Sequence, residues 1–437
     1  MSGLRWMAGA VLVPVIGSAI PAGLPAQGGG GAPVVTLAEA RRRAAAVDPA
    51  AVAARAELAT AGWERRSALA DLLTPNVSAA TNYTRYNEPF FSFTGSPSST
   101  VATASLEARY TLLGAGKLGE LRRSRASLSS AEATEAASRF RTARATDQAY
   151  YGVLAEGELS RVAADRLRRA TEQLDVSRVR VQAGEAIATD SLQLLLEVNR
   201  ARLEVLRRDS ALSVSRLRLG RQIGLAGPAD AAPLDSAPRP PLPVTLEAAV
   251  EELRVRGPEL EAARAAERRA AAALGAEREG YLPDVTLSVT AAAYDSEFFP
   301  QFLKRNSVAL TVSLPIWDGG RRELSVARAR AQRDIARAQR EERERATAEE
   351  MAQAYNGYRT ASAGIELARI GVSVSAETYR VQGARYREGA STILDLLEAQ
   401  VGLVEAEATL VQSRYAARLA LAQIEALLGR RLFDGRE

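Results

Sequence analysis

Residues 386–400 read "YREGASTILDLLEAQ" and place two carboxylates, Asp395 and Glu398, just past Gly389. Positions i and i+3 share a helix face, so the two acids present their charge together. The stretch "VQAGEAIATDSLQLL" (181–195) puts Asp190 in the same relative place after Gly184. Acids in this setting can attract cations or suit the positive end of a helix. The 437 residues contain no His and no Cys. The commonest general base, the commonest transition-metal ligand, thiolate sites, disulfides and a lipid anchor on cysteine are therefore excluded. No Gly-rich phosphate loop, metal cluster or nucleophile–base pairing is visible. The expectation is a protein that is not an enzyme and uses no cofactor and no metal.

Charge points the same way. Lys and Arg total 57 against 52 Asp and Glu, a net of +5, with the signs interspersed along the chain. No dense basic cluster with interleaved aromatics occurs, so no nucleic-acid partner is expected. These charges read as solvated helix faces. At the N-terminus Arg5, the apolar run "WMAGAVLVPVIGSAI" (6–20) and the small residues of "PAGLPAQ" read as a signal peptide over 1–26. No later apolar run reaches 18 residues, so no membrane-spanning helix is expected in the mature chain.

The elements that must position the acids come in duplicate. "VVTLAEA" (34–40) recurs as "PVTLEAA" (243–249), and a proline follows each at Pro49 and Pro258. Gly184 and Gly389 are 389 − 184 = 205 positions apart, and Asp190/Asp395 and Gly224/Gly429 keep that offset. The first repeat is read as 34–226, with strands near 77–86 and 102–112 and a long hairpin over 117–224. A Pro-rich linker with little regular structure, 227–243, follows. The second repeat is read as 244–430, with strands near 285–294 and 307–316 and a hairpin over 321–429, before a tail of 431–437. In each repeat a helix pair, broken at 48–49 or 257–258, precedes the strands.

The strand segments alternate. Ala104, Leu106, Ala108 and Tyr110 are interleaved with Ser105, Glu107 and Arg109, and Val285, Leu287 and Val289 with Thr286 and Ser288. Period-2 alternation over about ten residues means one apolar and one polar face, and fits a tilted outer-membrane strand. Phe90, Phe91, Phe298 and Phe299 cluster at the strand ends, as an aromatic girdle would. Four strands are too few to close a transmembrane barrel, so copies of the chain must pool theirs. The proline-free stretches 117–183 and 321–388 read as helices about 100 Å long at about 1.5 Å per residue. Val198, Val205, Leu212 and Leu219, and Leu403, Leu410, Ala417 and Ile424, recur at sevens, the period of coiled-coil packing.

The signal peptide, the duplicated helix–strand–strand–helix plan and the glycine turns resemble the TolC-like outer membrane efflux proteins over about 35–430. The most specific stretches are "AGEAIATDSLQ" (183–193) and "YREGASTILDLLEAQ" (386–400). The resemblance implies an α+β membrane protein of the outer membrane that extends into the periplasm. It would be a homotrimer whose 12-stranded β-barrel, four strands from each protomer, continues into a long α-helical coiled-coil periplasmic barrel. The duct would conduct small molecules or peptides outward for an efflux or type I secretion system. Its implied partners are outer-membrane lipid, a periplasmic adaptor protein and an inner-membrane pump whose class no residue specifies. The adaptor would dock on the helix tips at Ala183, Gly184, Gly389 and Ala390. Asp395 and Glu398 would ring the constricted periplasmic entrance. Asp190 would accept a hydrogen bond from Tyr386 in a latch that holds it closed. Where related chains can carry an arginine two residues after the second turn glycine, this one has Ser391, which implies either a weaker latch or replacement by Arg385 or Arg387. The alternatives are a periplasmic adaptor, which usually has one hairpin where this chain has two, and a structural coiled coil of the envelope, which leaves the amphipathic strands unexplained.

Overall fold

A computed structural model describes residues 32–91, 97–114, 116–234, 241–295 and 303–433. The signal-peptide segment 1–26, Phe298, Phe299 and the end of the tail lie outside the described residues. Each repeat begins with a short helix and a longer one. Thr36 caps α1 (Leu37–Val47) by accepting from the Glu39 N–H, and Thr245 caps α5 (Leu246–Arg256) by accepting from Ala248. Asp48 closes α1 and opens α2 (Pro49–Leu73), where its carboxylate accepts from the N–H groups of Ala50 and Ala51. Gly257 stands between α5 and α6 (Pro258–Glu279). Both prolines occupy the first helical position, where a missing N–H costs no intrahelical bond.

The strands β2 (Asn76–Phe91), β3 (Pro97–Leu113), β5 (Asp284–Asp295) and β6 (Leu303–Ser313) form one antiparallel sheet in the order β2-β3-β5-β6. Its register separates two faces. Val77, Ala108, Val289 and Val308 lie in one row across the four strands, and Ala79, Leu106 and Ala291 in another that ends on Asn306. The alternate rows hold Asn76, Arg109, Ser288 and Ala309, and Ser78, Glu107, Thr290 and Ser307. Among the described residues much of the apolar face is uncovered, most of all on β6, where Val308, Leu310 and Val312 are 72%, 62% and 65% exposed. Phe91, at the end of β2, is also exposed.

Strand bounds read from sequence need correction: the first two strands run over 76–91 and 97–113 rather than 77–86 and 102–112, because they continue pairing with each other toward their connection, at Phe90↔Ser98 and Phe91↔Pro97. The fourth strand spans 303–313 rather than 307–316. Its last partner pair is Asp284↔Ser313, because β5 starts directly after Pro283 and Pro315 has no N–H to continue a ladder. It begins earlier because Ala291 to Tyr294 offer backbone partners to Leu303 and the polar residues 304–306, which carry no alternation signal. The segment 227–243 has little regular structure among the described residues, with one short strand. Its β4 (Asp230–Ala231) pairs in parallel with β1 (Val34–Val35), and Tyr150 donates to the Ala232 carbonyl at 2.7 Å.

Four long helices run from the sheet. They are α3 (Lys117–Gln182, 66 residues) and α4 (Ala188–Gln222) in the first repeat, and α7 (Arg321–Arg387, 67 residues) and α8 (Ile393–Leu428) in the second. The helix α3 packs on α4, α7 on α8, and α3 also on α8, which makes the α3–α8 line the seam between the two hairpins. Of the residues at sevens, Val198, Leu219, Leu403, Ala417 and Ile424 are buried. The ends of α4 and α8 return to cores built on α1 and α5. The helix α6 braces both long columns: Glu259 accepts from Arg141 of α3 and Arg343 of α7, and Glu267 from Arg340. Opposed guanidinium groups hold the Glu259 carboxyl below its usual range in spite of its burial. No helix among the described residues is long and apolar enough to cross a membrane.

Candidate functional site at the helix tips

At the far end from the sheet, both hairpins turn by the same device. Gly184 and Gly389 take φ of 77° and 75°, the left-handed region that glycine enters without a Cβ penalty. Gly184 and Glu185 donate to the carbonyls of Val181 and Arg180, and Gly389 and Ala390 donate to those of Tyr386 and Arg385. These are paired Schellman bonds, which satisfy the carbonyls left open at a helix end. Ala183 closes α3 in helical conformation one residue before its glycine.

The entries into the returning helices differ. Thr392 caps α8: its hydroxyl accepts from the Asp395 N–H at 3.3 Å, while the Asp395 carboxylate accepts from the Thr392 N–H at 2.9 Å and hydroxyl at 2.8 Å. Ser391 adds a third donor to Asp395 at 3.3 Å. The Thr392 N–H, then its hydroxyl, holds the Asp395 carboxyl below its ordinary value. At the matching position of α4 stands Ile187, which has no side-chain acceptor for a cap. Asp190 is therefore not drawn back onto its own helix start, and its carboxylate turns to the other hairpin.

There it meets Tyr386. This ring is 2% exposed, packed among Leu174, Leu194, Val198, Ile393 and Leu396. Its hydroxyl donates to Asp190 Oδ2 at 3.2 Å and lies 3.5 Å from Ser177 Oγ. Burial, then the negative charge of Asp190, raises the phenol above its ordinary pKa, so it stays a donor throughout the neutral range. Asp395 and Glu398 lie one turn apart on the exposed side of α8, and Glu398 has no ion pair among the described residues.

The sequence reading missed Arg180. Its guanidinium donates to the Tyr386 carbonyl and to the Glu185 carbonyl, and its Cζ lies 5.2 Å from the Tyr386 ring centroid. Arg385 and Arg387 do not supply the replacement contact: they donate to Ala390 and Gly383, on their own hairpin. The repeat offset carried the signal. Arg180 and Arg385 are 205 apart, and each donates to the carbonyl five residues on. Only the contact of Arg180 with the second hairpin required the tertiary structure.

Comparison with known proteins gives this geometry a context. The model of the outer membrane efflux protein family matches residues 40–225 and 249–430. The chain is 25% identical over 272 residues to the toluene efflux pump outer membrane protein TtgC of Pseudomonas putida, covering 61% of this chain and 56% of that protein. It thus spans little more than half the length of that relative. It is 28% identical over 315 residues to the outer membrane protein OprJ of Pseudomonas aeruginosa, covering 71% and 65%. In fold it is similar to the outer membrane protein VceC of Vibrio cholerae, with a TM-score of 0.75 at 19% identity over 91% of this chain and 97% of that one.

Proposed function

The chain belongs to the outer membrane efflux protein family, and from that premise we propose that it is one protomer of a homotrimeric outer-membrane duct gated at its periplasmic helix tips. The observation that carries the proposal is the sheet. Its outer strands β2 and β6 each have one partner among the described residues, and one face is apolar and much of it uncovered. Open edges in lipid cost several kcal/mol for each unpaired polar group, so the strands must close with those of other copies. Three copies supply twelve strands, with the rows that hold Arg109 and Glu107 facing the lumen. The helix columns ask for the same closure. On the outer flanks of the four-helix arc, α4 exposes Leu192, Leu203 and Leu206, and α7 exposes Leu367, Ile370 and Val374. These stripes fit each other as an interface between neighbouring copies.

The tips then form the entrance. Tyr386, Asp190 and Arg180 tie the second hairpin to the first, and Asp395 and Glu398, repeated three times, place six carboxylates about the axis. A ring of acids attracts cations and disfavours anions. An adaptor docks at Ala183, Gly184, Gly389 and Ala390, and its binding replaces the latch contacts so that the hairpins part. The cargo is small molecules or peptides delivered by an inner-membrane pump. Heat-modifiable trimer bands in outer-membrane fractions, with discrete conductance after reconstitution in planar bilayers, test the reading. A stable lone protomer in lipid overturns it.

A further inference from the structure

We propose that the ion pair between Arg169 and Glu407 is a stop that confines parting of the hairpins to the segment below it. The inference rests on the reading of the tips as a gate. Arg169 on α3 faces Glu407 on α8 across the seam, with Nη2 at 3.0 Å and Nη1 at 3.4 Å from the two carboxylate oxygens. The side chains are 14% and 23% exposed.

The links nearer the tips are of another kind. Tyr379 meets Gln173 at 3.4 Å, neutral against neutral. Gln400 donates to Glu197 at 3.4 Å, but Glu197 keeps Arg166 of its own hairpin at 2.7 Å when Gln400 leaves. Asp190 is half-exposed, so water replaces Tyr386. Arg180 retains Glu185 when it releases the Tyr386 carbonyl. Each of these opens without stranding a shielded charge.

Arg169 and Glu407 have no such fallback. Neither has a second ion-pair partner among the described residues, and Arg169 Nε is already buried without an acceptor. Separating them strands a shielded cation and a shielded anion together, the costly way to break an ion pair. Among the described residues, moving up from the tips, this is the first place where opposite formal charges meet across the seam. Glu407 is 407 − 393 = 14 residues into α8, about 21 Å from its start. Above it Glu158 accepts from Tyr415 at 2.6 Å and faces Arg414 at 3.7 Å, and the seam then enters the cores at α1 and α5. A movement that starts at the tips meets its first large barrier at this pair.

Single-channel recording in planar bilayers tests the stop, with trimer bands on gels as the check of assembly. The set is the parent protein, Tyr386→Phe, Glu407→Gln, the two combined, and the swap Arg169→Glu with Glu407→Arg in the Tyr386→Phe background. The combined variant is expected to show an open level above that of Tyr386→Phe. The fraction of time at that level should rise by about tenfold or more, the scale of one charged hydrogen bond. The swap is expected to return both to the Tyr386→Phe values. A combined variant equal to Tyr386→Phe, or an assembled swap that restores nothing, overturns the stop. If the swap does not assemble, Glu407→Asp replaces it, and a rise as large as that of Glu407→Gln overturns the stop. If Tyr386→Phe matches the parent, the gate reading fails separately. Glu407→Gln alone then decides: a raised open level sustains the stop and an unchanged one overturns it.

Discussion

Tyr386→Phe is the sharpest probe of the tips, because it removes one hydroxyl and leaves the buried ring in place. The ring keeps its apolar neighbours and the Arg180 guanidinium over its face. What is lost is the donor 3.2 Å from Asp190. A hydrogen bond to a charged group contributes about 1.5–3 kcal/mol. Asp190 is half-exposed and regains water, which puts the loss near the lower end, about 1–2 kcal/mol for each protomer. Three copies acting on one entrance lose about 3–6 kcal/mol, and every 1.4 kcal/mol is tenfold. The closed-to-open ratio should fall by about a hundredfold to ten-thousandfold. Open probability in planar bilayers, from closed and open dwell times together, reports it directly. Tyr386→Phe is expected to raise open probability greatly without changing the yield of trimer. An open probability equal to that of the parent, in a protein that assembles normally, would refute the latch.

Three further outcomes follow from the same geometry. A tyrosine whose pKa is raised on folding contributes its stabilisation in full below its unfolded value and loses it as pH climbs through the higher folded value. The parent channel should therefore keep its latch at neutral pH and open in strongly alkaline solution, above about pH 10, while Tyr386→Phe shows no such step; Asp190 and Arg180 are the charged groups that face the phenol. Thr392→Ala removes one half of the α8 capping box and should cost about 1 kcal/mol at that tip, read as faster amide exchange over 392–396, whereas Ile187→Ala should leave exchange at the start of α4 nearly unchanged. Replacing Asp395 by Asn and Glu398 by Gln should move the reversal potential toward non-selectivity, and a potential that stays put would mean that these acids do not line the entrance.

Much of the fold was written locally. The helix starts follow from Thr36, Asp48, Thr245 and Thr392, each an acceptor placed just before a helical run. The tip turns follow from Gly184 and Gly389, and the two faces of the sheet from alternation. What stayed hidden depended on distant partners. The strand β6 takes in the polar residues 304–306 because β5 extends alongside it, and β4 exists because Val34 and Val35 lie next to it. Arg180 and Tyr386 are 206 residues apart, so no local pattern pairs them. The acids at sevens on α4, Asp190, Glu197 and Glu204, were visible in the sequence, but whether each meets its own hairpin or the other one was not.

The two tips show how a duplicated chain can divide labour with one side chain. Both repeats place a carboxylate at the third residue of the returning helix, and in both the preceding turn has the same glycine and the same Schellman bonds. With Thr392 at the cap, the acid is claimed by its own helix start, and the turn is closed on itself. With Ile187 there, the acid has no local donor of that kind and is available across the seam. Giving Ile187 a hydroxyl tests this division. Ile187→Thr should draw the Asp190 carboxylate back toward the N–H of residue 187, as Thr392 does with Asp395, in competition with Tyr386. The α4 start should gain up to about 1 kcal/mol from the new cap, seen as slower amide exchange over 187–191. The same substitution should weaken the latch, seen as a higher open probability. Slower exchange together with an unchanged open probability would show that Asp190 can serve both partners at once, and the competition would have to be given up.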